Sequence, residues 1–478
     1  MKRIISIILF FAAAGSYSYA QKKQHMTGLL PDDGRYDQLP KKAELLTRDY
    51  KIMPTEHSLM QYCPEVKSQS VYGTCCGWAT GYAARSIAEA IKHDWKDKTR
   101  ITNEAFSPLF VYTLIKGKND NNCQKGGYLS DALEIMKRRG VAKYSSFDVL
   151  CASYINKDLL TAASKFKIDG YFRLFDLARR NPTEKIRKVK KSLSEDRPVV
   201  IGMWLPDSFH DADSIWDGSG IIIDPKKHGY HAMCVIGYND NKNGGSFQIM
   251  NSWGKDWGEK GFVWVKYNDF SRYVDEGYEI YIKKEQPKPI PSPKNHYMDG
   301  EMRIASHNGS NTMPVFYSSN GQLPHYITTE NYLSGSKFRL YINNKQPAWV
   351  YVIASDIRNN VTKLFPYDDT ISAYMNYKDN NFALPDEQHE FEFDNTAGTD
   401  YFCVLYSQEE LNINNIVKQI EQVNGSFYQK LSTVLGDKIV HPQDIRYIQN
   451  YLGFSAKSDH TIVPLVVEIS HKDIGVQY

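Results

Sequence analysis

A proline-rich stretch constrains this chain more than any other feature, because it divides the chain into two units. Four of the ten residues from Glu285 to Lys294, EQPKPIPSPK, are prolines. Proline fixes the backbone and lacks an N–H donor, so such a run forms an extended spacer instead of a core element. We therefore predict a linker at 285–294, with one unit before it and a second unit at 295–478.

The composition argues against several classes of protein. Hydrophobic residues make up 42% of the 478 residues and charged residues 24%, which is typical of a soluble globular protein. The 58 basic and 55 acidic side chains leave a formal net charge of +3, which argues against a nucleic-acid-binding protein. Seven cysteines are too few for a fold that depends mainly on disulfides.

The first twenty residues have the layout of a signal peptide. Lys2 and Arg3 precede the apolar run IISIILFFAAAG, and small residues follow up to Ala20. The apolar run is too short to span a bilayer comfortably, and no later stretch is long enough. We predict a signal peptide at 1–20, cleavage after Ala20, and a secreted or periplasmic bacterial protein without a membrane span.

The unit before the linker is predicted to be α+β. Residues 21–60 are polar with little periodicity, and we interpret them as an extended leader that lies over the next domain. In residues 61–284 the helical patterns come first, and β-rich runs separated by Gly, Asn and Asp turns follow. The apolar spacing predicts helices at 75–91, 130–139 and 183–194.

The unit after the linker is predicted to be β-rich. Runs such as KFRLYIN, AWVYVIAS, DYFCVLYS and TIVPLVVEIS are typical of strands. A helical insert at 408–450 separates the last two of these runs. We therefore predict a β-sandwich-like accessory domain with a helical insert.

Three short stretches hold the side chains that a thiol nucleophile needs. A thiol attacks a carbonyl as the thiolate, and its ordinary pKa of about 8.5 leaves little thiolate at neutral pH. A helix N-terminus and a nearby imidazolium both stabilise the anion. The three stretches are QSVYGTCCGWA from Gln69, HGYHAMCVIGY from His228, and IMNSWGKDWGEKGF from Ile249.

The predicted elements bring the reactive groups of these stretches together. Cys75 lies where a helix is predicted to begin. His231 opens a predicted strand and Asn251 ends the strand across the hairpin, so Asn251 can hold the ring of His231 in orientation. Gln69, six residues before Cys75, can give one N–H to an oxyanion, and the backbone of Cys75 can give the other.

These stretches resemble the papain family of cysteine peptidases. His231 and Asn251 follow Cys75 by 156 and 176 residues, against about 130–150 in the family pattern. The stretch NSWGKDWGEKG from Asn251 to Gly261 is the most specific of the three. The resemblance covers about 61–283 and implies a papain-like fold, with a helical lobe and an antiparallel β-barrel lobe.

The resemblance implies an activity and a set of site residues. The activity is that of a cysteine endopeptidase that hydrolyses peptide bonds of a peptide or protein substrate. Catalytic roles fall on Cys75, His231, Asn251 and Gln69. A substrate-binding set follows from the Gly-Gly segment, which pairs with an extended substrate, and from a tryptophan that covers the Asn–His hydrogen bond: Gly126, Gly127, Tyr128 and Trp253.

Some positions depart from the family pattern. Tyr72 replaces a disulfide cysteine, Thr74 replaces a smaller residue, and Cys76 replaces an aromatic residue. The spacing from Gln69 favours Cys75 over Cys76 as the nucleophile. The long inhibitory prosegment of the family has no room in the 41 residues from 21 to 61, so latency must work differently or be missing.

The remaining cysteines and the usual metal motifs predict no further chemistry. Cys123 and Cys151 flank a predicted helix and can pair in an oxidising compartment, while Cys234 and Cys403 fit core positions. The sequence lacks C-x-x-C and H-E-x-x-H patterns, so we predict no metal site and no cofactor.

Three other functions stay open at this point. An inactive homologue would keep the fold and bind peptides, and an amidase or acyl-transfer enzyme would use the same Cys-His pair on another acceptor. In the third, the C-terminal unit is the main functional part and acts as an adhesion module. Residues 348–366 resemble an uncharacterised bacterial β-sandwich domain, which implies a surface or protein ligand for that unit.

Overall fold

The structure is a computed structural model. It describes residues 25–32, 34–43, 53–177, 181–282, 296–306, 311–319, 323–358, 360–376, 380–385 and 389–473. The predicted signal peptide at 1–20 and the predicted linker at 285–294 lie outside the described residues.

The first unit begins with helices, as the apolar spacing predicts. One continuous helical run joins α1 to α2 through a π-helical segment, Trp78–Arg85. Glycine is required at Gly77, because a Cβ there would lie 2.1 Å from the carbonyl oxygen of Pro108 in the neighbouring helix. The helices described in this unit are α1 (Cys75–Gly77), α2 (Ser86–Lys92), α3 (Lys98–Asn103), α4 (Pro108–Ile115), α5 (Leu129–Arg139), α6 (Lys157–Ala163), α7 (Pro182–Ser194) and α8 (Tyr267–Tyr273).

A mainly antiparallel sheet follows the helices in the chain. Its strand order is β2-β8-β3-β5-β6-β7-β4, with β1 paired to β5, and among the described strands of this sheet only β4 and β7 pair in parallel. Val200, Val235 and Ile249 of the sheet share one buried core with Ile87 and Leu133 of the helices. The strands are β1 (Glu56–Ser58), β2 (Gly170–Arg173), β3 (Val199–Leu205), β4 (Ile215–Trp216), β5 (Gly229–Asn239), β6 (Ser246–Met250), β7 (Phe262–Lys266) and β8 (Val274–Tyr281).

The second unit is a two-sheet sandwich. One sheet has the order β18-β14-β9-β22-β21, and the other has the order β11-β12-β23-β20-β15-β16. The strands are β9 (His296–Ser306), β10 (Asn311–Thr312), β11 (Val315–Ser318), β12 (His325–Thr328), β13 (Tyr332–Leu333), β14 (Lys337–Asn344), β15 (Ala348–Ser355), β16 (Val361–Phe365), β17 (Tyr374–Met375), β18 (Asn380–Leu384), β19 (Phe391–Glu392), β20 (Gly398–Ser407), β21 (Ile445–Tyr447), β22 (Leu452–Ser458) and β23 (Ile462–Lys472).

The period-2 alternation of strand β15 explains how both faces of the second sheet become covered. Val350 and Val352 point into the core between the two sheets. Tyr351 and Ile353 point to the other face, where they pack with Ile420 of the helical insert. That insert contains α9 (Ile413–Gln422) and α10 (Phe427–Leu435), and β21 and β22 also lie within or just after it.

The two units contact each other through an aromatic cluster. Phe172 stacks on Tyr281 at a ring-centroid distance of 5.0 Å, and Tyr281 stacks on Tyr374 of the C-terminal unit at 4.8 Å. Trp349 also packs on Tyr374, at a ring-centroid distance of 5.1 Å.

The predicted α+β fold with a β-rich C-terminal region is confirmed. Within the described ranges, every helix is too short or too polar to cross a membrane.

Candidate active site

Cys75 is the first residue of α1 and is fully buried. The N–H groups in the first turn of a helix have no carbonyl partner within the helix, and the helix dipole is positive at this end. The thiol therefore lies where the backbone favours a negative charge. The backbone N–H of the same residue points out of the same end.

The surroundings of Cys75 lower the pKa of its thiol. Burial alone would raise that pKa, but hydrogen bonds with Cys76 and His231 and the charge of His231 hold it well below the ordinary value. Burial and the neighbouring Cys75 anion raise the pKa of Cys76 well above its ordinary value. Cys76 is also fully buried, and its Sγ donates to the carbonyl of Gly127 at 3.1 Å. Of the two adjacent thiols, only Cys75 has the electrostatics of a nucleophile.

His231 is placed and oriented by the β5–β6 hairpin. Cys234 of β5 pairs with Met250 of β6, which brings His231 beside the residue that follows β6. That residue is Asn251, and its Oδ1 lies 2.9 Å from Nε2 of His231. Because an amide oxygen only accepts, Nε2 carries the proton of this hydrogen bond. Nδ1 is buried without a nitrogen or oxygen partner among the described residues, so it is the nitrogen left to interact with the Cys75 sulfur.

Two tryptophans shield this hydrogen bond from water. The ring of Trp253 stacks on the ring of His231 at a centroid distance of 4.8 Å. Trp257 packs edge-on against Trp253 at 5.2 Å, and both tryptophans are about 95% buried. Removing water from the His231–Asn251 pair lowers the local dielectric constant and strengthens the pair. The sequence predicts this cover from the NSWG stretch.

The side chain of Gln69 is fixed by hydrogen bonds at both of its ends. Its Oε1 accepts from the hydroxyl of Ser252 at 2.6 Å, and its backbone N–H donates to the carbonyl of Ser252 at 2.8 Å. With the oxygen held in this way, Nε2 must point outward. It donates to the carbonyls of Tyr72 at 2.7 Å and Met26 at 3.0 Å.

The Gly126–Gly127 segment offers its backbone to an extended chain. The N–H of Gly127 donates to the carbonyl of Gly28, and its carbonyl accepts from the N–H of Leu30, both at 3.0 Å. Gly126 has φ +79, and a Cβ there would lie 2.1 Å from the carbonyl oxygen of Gly28, so a side chain would push the paired chain away. Tyr128 follows at the N-terminus of α5, and the guanidinium of Arg35 lies over its ring at 4.7 Å.

The chain that occupies this cleft is the leader. His25 stacks on Trp253 at 4.6 Å, Met26 bonds to Gln69, and Leu29 forms a parallel bridge with Gly127. The N–H of Leu29 donates to the carbonyl of Tyr230 at 3.1 Å. The sequence leaves open how the activity is kept latent. In the structure the short leader itself passes Gln69, Trp253 and the Gly-Gly segment.

A buried carboxyl group that the sequence analysis did not identify lies near the leader. Glu276 is 2% exposed and accepts from the hydroxyls of Tyr230 at 2.9 Å and Tyr278 at 2.8 Å. Burial raises its pKa to about 7, although the two tyrosine hydroxyls act in the opposite direction. A Cβ on Gly202 would touch both the hydroxyl of Tyr230 and Leu29, so Glu276 lies beneath the part of the cleft that Leu29 fills.

The structure brings the predicted catalytic and substrate-binding residues into one cleft. Sequence reasoning predicts a leader that lies over this domain, but it missed Ser252, Glu276 and the contacts of the leader with Gln69, Trp253 and Gly127. Ser252 could have been found from its place directly after Asn251, whereas Glu276 carries no local signal. Cys123 and Cys151 form a disulfide. A search of the described residues for clusters of metal-binding side chains finds none.

Comparison with known families agrees with this geometry. Residues 56–280 match the model of the family described as papain family cysteine protease. Residues 331–410 match a domain of unknown function, DUF4384.

Individual relatives are distant. An uncharacterised peptidase C1-like protein of Acanthamoeba polyphaga mimivirus is 25% identical over 237 residues, covering 46% of this chain and 70% of the relative. Cathepsin K of Gallus gallus is 27% identical over 214 residues, covering 43% of this chain and 56% of the relative. Among solved structures, xylellain, a cysteine protease from Xylella fastidiosa, is 21% identical with a TM-score of 0.43, covering 55% of this chain and 98% of that one.

The order of the motifs, the cleft and the family match lead to one assignment. The chain is similar to the papain family of cysteine proteases over residues 56–280 and to the DUF4384 domain family over residues 331–410.

Proposed function

We propose that this protein is an exported cysteine peptidase that hydrolyses peptide bonds through Cys75, His231 and Asn251. The observation that carries the proposal is the state of the Cys75 thiol. It lies at a helix start, its pKa is held well below the ordinary value, and the histidine that lowers it is itself held by Asn251 at 2.9 Å. The match to a cysteine protease family supports the same reaction class.

The proposed reaction has two halves, the acylation of Cys75 and the hydrolysis of the resulting thioester. The Cys75 thiolate attacks the carbonyl carbon of the scissile bond, and the carbonyl π electrons move to the oxygen. The side chain of Gln69 and the N–H of Cys75 donate to this oxyanion. When the oxyanion collapses, the C–N bond breaks, the amine leaves with a proton from His231, and the acyl group stays on sulfur as a thioester.

The second half returns the enzyme to its starting state. His231 takes a proton from water, and the resulting hydroxide oxygen attacks the thioester carbonyl. The carboxylic acid leaves and the Cys75 thiolate reforms beside the protonated His231. Asn251 keeps the imidazole in one orientation through both halves, because its Oδ1 accepts from Nε2 throughout.

The leader makes the described arrangement a latent one. It takes the hydrogen bonds of Gly127 and of Gln69 that an extended substrate and its oxyanion would need. A substrate therefore reaches Cys75 only after residues 25–32 leave the cleft.

The test of hydrolysis is a product analysis. We expect the reduced protein to cleave an internally quenched peptide in water enriched in ¹⁸O, with one ¹⁸O in each new carboxyl group. The Cys75→Ala variant should give no product. Formation of amide products with an added amine, and no labelled acid, would replace hydrolysis by acyl transfer. If a protein that keeps Cys75 but lacks the leader cleaves no peptide, the chain would instead be a peptide-binding protein.

Export is supported by two features. Residues 1–20 have the layout of a signal peptide, and the Cys123–Cys151 disulfide suits an oxidising compartment. N-terminal sequencing of protein collected outside the cytoplasm should start at Gln21. An N-terminus at Met1 on a cell-associated protein would contradict export by cleavage.

A further inference from the structure

The leader does not end at the cleft but continues to the C-terminal unit. The N–H of Lys41 donates to the carbonyl of Thr370 at 2.5 Å, and the carbonyl of Lys41 accepts from the N–H of Ser372 at 2.9 Å. Lys41 and Ile371 thus form a parallel bridge between the leader and the second unit. Two residues on, Ala43 is 5% exposed and packs with Ile371 in the core between the two sheets.

The same segment is also bound to the peptidase unit. Nζ of Lys41 lies 2.6 Å from Asp176, and Nζ of Lys42 lies 2.6 Å from the fully buried Glu279. Glu279 also accepts from the side-chain amide of Asn376 of the C-terminal unit at 2.7 Å. Leader, peptidase unit and C-terminal unit therefore meet at one junction.

The negative charge of Glu279 at this junction is balanced by two basic side chains. Burial opposes the Glu279 carboxylate, but Lys42 and Arg197 hold its pKa below the ordinary value. Nη2 of Arg197 donates in turn to the carbonyl of Asn376 at 3.1 Å. The buried carboxylate of Glu279 depends on Lys42 of the leader and on Asn376 of the C-terminal unit. The leader, the peptidase unit and the C-terminal unit are therefore held in fixed positions relative to one another at this junction.

We propose that the C-terminal unit is an intramolecular clamp that keeps the leader in the peptidase cleft. This assignment rests on the proposed function, because the clamp controls access to the site of the proposed reaction. The ligand of this face of the C-terminal unit is then residues 41–43 of its own chain.

The leader between the cleft segment and Lys41 is also fixed to the peptidase unit. Tyr36 is fully buried, and its hydroxyl donates to the carbonyl of Gly277 at 3.2 Å and accepts from the N–H of Gly277 at 3.1 Å. The carbonyl of Pro40 accepts from the N–H of Arg173 at 2.9 Å. Loss of the contacts with the C-terminal unit should therefore loosen the cleft segment without detaching the whole leader.

The test is hydrogen–deuterium exchange of the full mature chain in a Cys75→Ala background, so that catalysis plays no part. The readout is the amides of Leu29 and Leu30, which donate to Tyr230 and Gly127. The variant is Ala43→Asp, which places a carboxylate in the apolar contact with the C-terminal core. The control is Gln38→Asp, which adds the same charge at an exposed leader position.

We expect exchange at both amides to become faster in Ala43→Asp and to stay unchanged in Gln38→Asp. Wild-type exchange rates in a folded Ala43→Asp protein would overturn the clamp.

A second measurement needs no variant at the junction. In increasing urea, the amides of Leu29 and Leu30 should open together with that of Ser372. Opening of Ser372 while the leader amides stay protected would also overturn the clamp. The outcome for the proposed function is separate: a released leader in a protein with Cys75 that cleaves no peptide would contradict the peptidase and leave the clamp standing.

Discussion

Nε2 of Gln69 donates to the backbone carbonyl of Met26 at 3.0 Å. The donor assigned to the oxyanion of a substrate is thus bonded to a carbonyl of the protein's own leader. In the proposed reaction, substrate and leader compete for the same group, so the occupancy of this one hydrogen bond would distinguish a latent from an open cleft.

Replacing Gln69 should slow the chemical step. We expect Gln69→Ala to lower turnover by about 100- to 1000-fold, because one of two oxyanion donors is lost. The rate should be measured in a Gly28→Ala background, so that release of the leader does not mask the loss. Ser252→Ala, which removes only the hydroxyl that orients Gln69, should cost less. An unchanged turnover in Gln69→Ala would exclude Gln69 from the mechanism.

Substitution of the two adjacent cysteines should have different effects on peptide cleavage. Cys75→Ala should abolish peptide cleavage. Cys76→Ala should keep most of it, but the pKa of Cys75 should rise, because Cys76 is one of the groups that lower it. Rates on one fluorogenic peptide across pH test both statements. Activity in Cys75→Ala and none in Cys76→Ala would reverse the assignment of the nucleophile.

Alkylation should report the ion pair directly. Because the pKa of Cys75 is held well below its ordinary value, iodoacetamide should modify it rapidly at pH values where an ordinary thiol reacts slowly. His231→Ala removes the largest charge that lowers this pKa, so the rate profile should move to higher pH. Mass spectrometry identifies the modified residue. A profile centred near about 8.5 in the intact protein would contradict the ion pair.

The buried Glu276 should give the protein a pH-dependent stability. Its pKa is raised from 4.5 to about 7, so the folded state binds this proton more tightly than the unfolded state. The free energy of unfolding should therefore fall as pH rises from about 4.5 to about 7, by roughly 3 kcal/mol at most from this group. The contribution is fully present below the unfolded pKa and is lost above the folded one.

Glu276→Gln removes the titration and keeps the shape of the side chain. Its free energy of unfolding, measured by urea denaturation from pH 4 to pH 8, should vary less than that of the wild type, and the variant should be the more stable of the two at pH 8. Parallel pH curves for both proteins would show that Glu276 does not titrate in this range.

The sequence predicts the local parts of this site well. Cys75 is placed by its helix start, and His231 and Asn251 are placed by one hairpin of neighbouring residues. Each of these relationships spans a short stretch of chain or one β-ladder, so periodicity and turn residues are enough to find it. Strands β14, β15, β20 and β23 of the C-terminal unit are predicted for the same reason, whereas β9 and β22 have weaker patterns and are not among the predicted runs.

The long-range parts could not be predicted in this way. Leu29 and Gly28 have no periodicity, and their position depends on Gly127 and Tyr230, about 100 and 200 residues away. Glu276 looks like an ordinary polar residue of a strand until Tyr230 and Tyr278 close over it. The meeting of Lys42, Glu279 and Asn376 joins three distant segments, and no local pattern marks any of them.

The most direct test of the account uses two glycines of the leader. A Cβ on Gly28 would lie 2.3 Å from the backbone oxygen of Gly73, whereas a Cβ on Gly34 would have no atom within 4 Å. Gly28→Ala should therefore expel the leader from the cleft, and Gly34→Ala should leave it in place.

The measurement is the initial rate of cleavage of one short fluorogenic peptide by the reduced full-length mature protein. We predict a several-fold higher rate for Gly28→Ala than for the wild type, the wild-type rate for Gly34→Ala, and no cleavage for Gly28→Ala combined with Cys75→Ala. Equal rates for the two glycine variants, or cleavage that survives without Cys75, would contradict a Cys75 peptidase that its own leader holds latent.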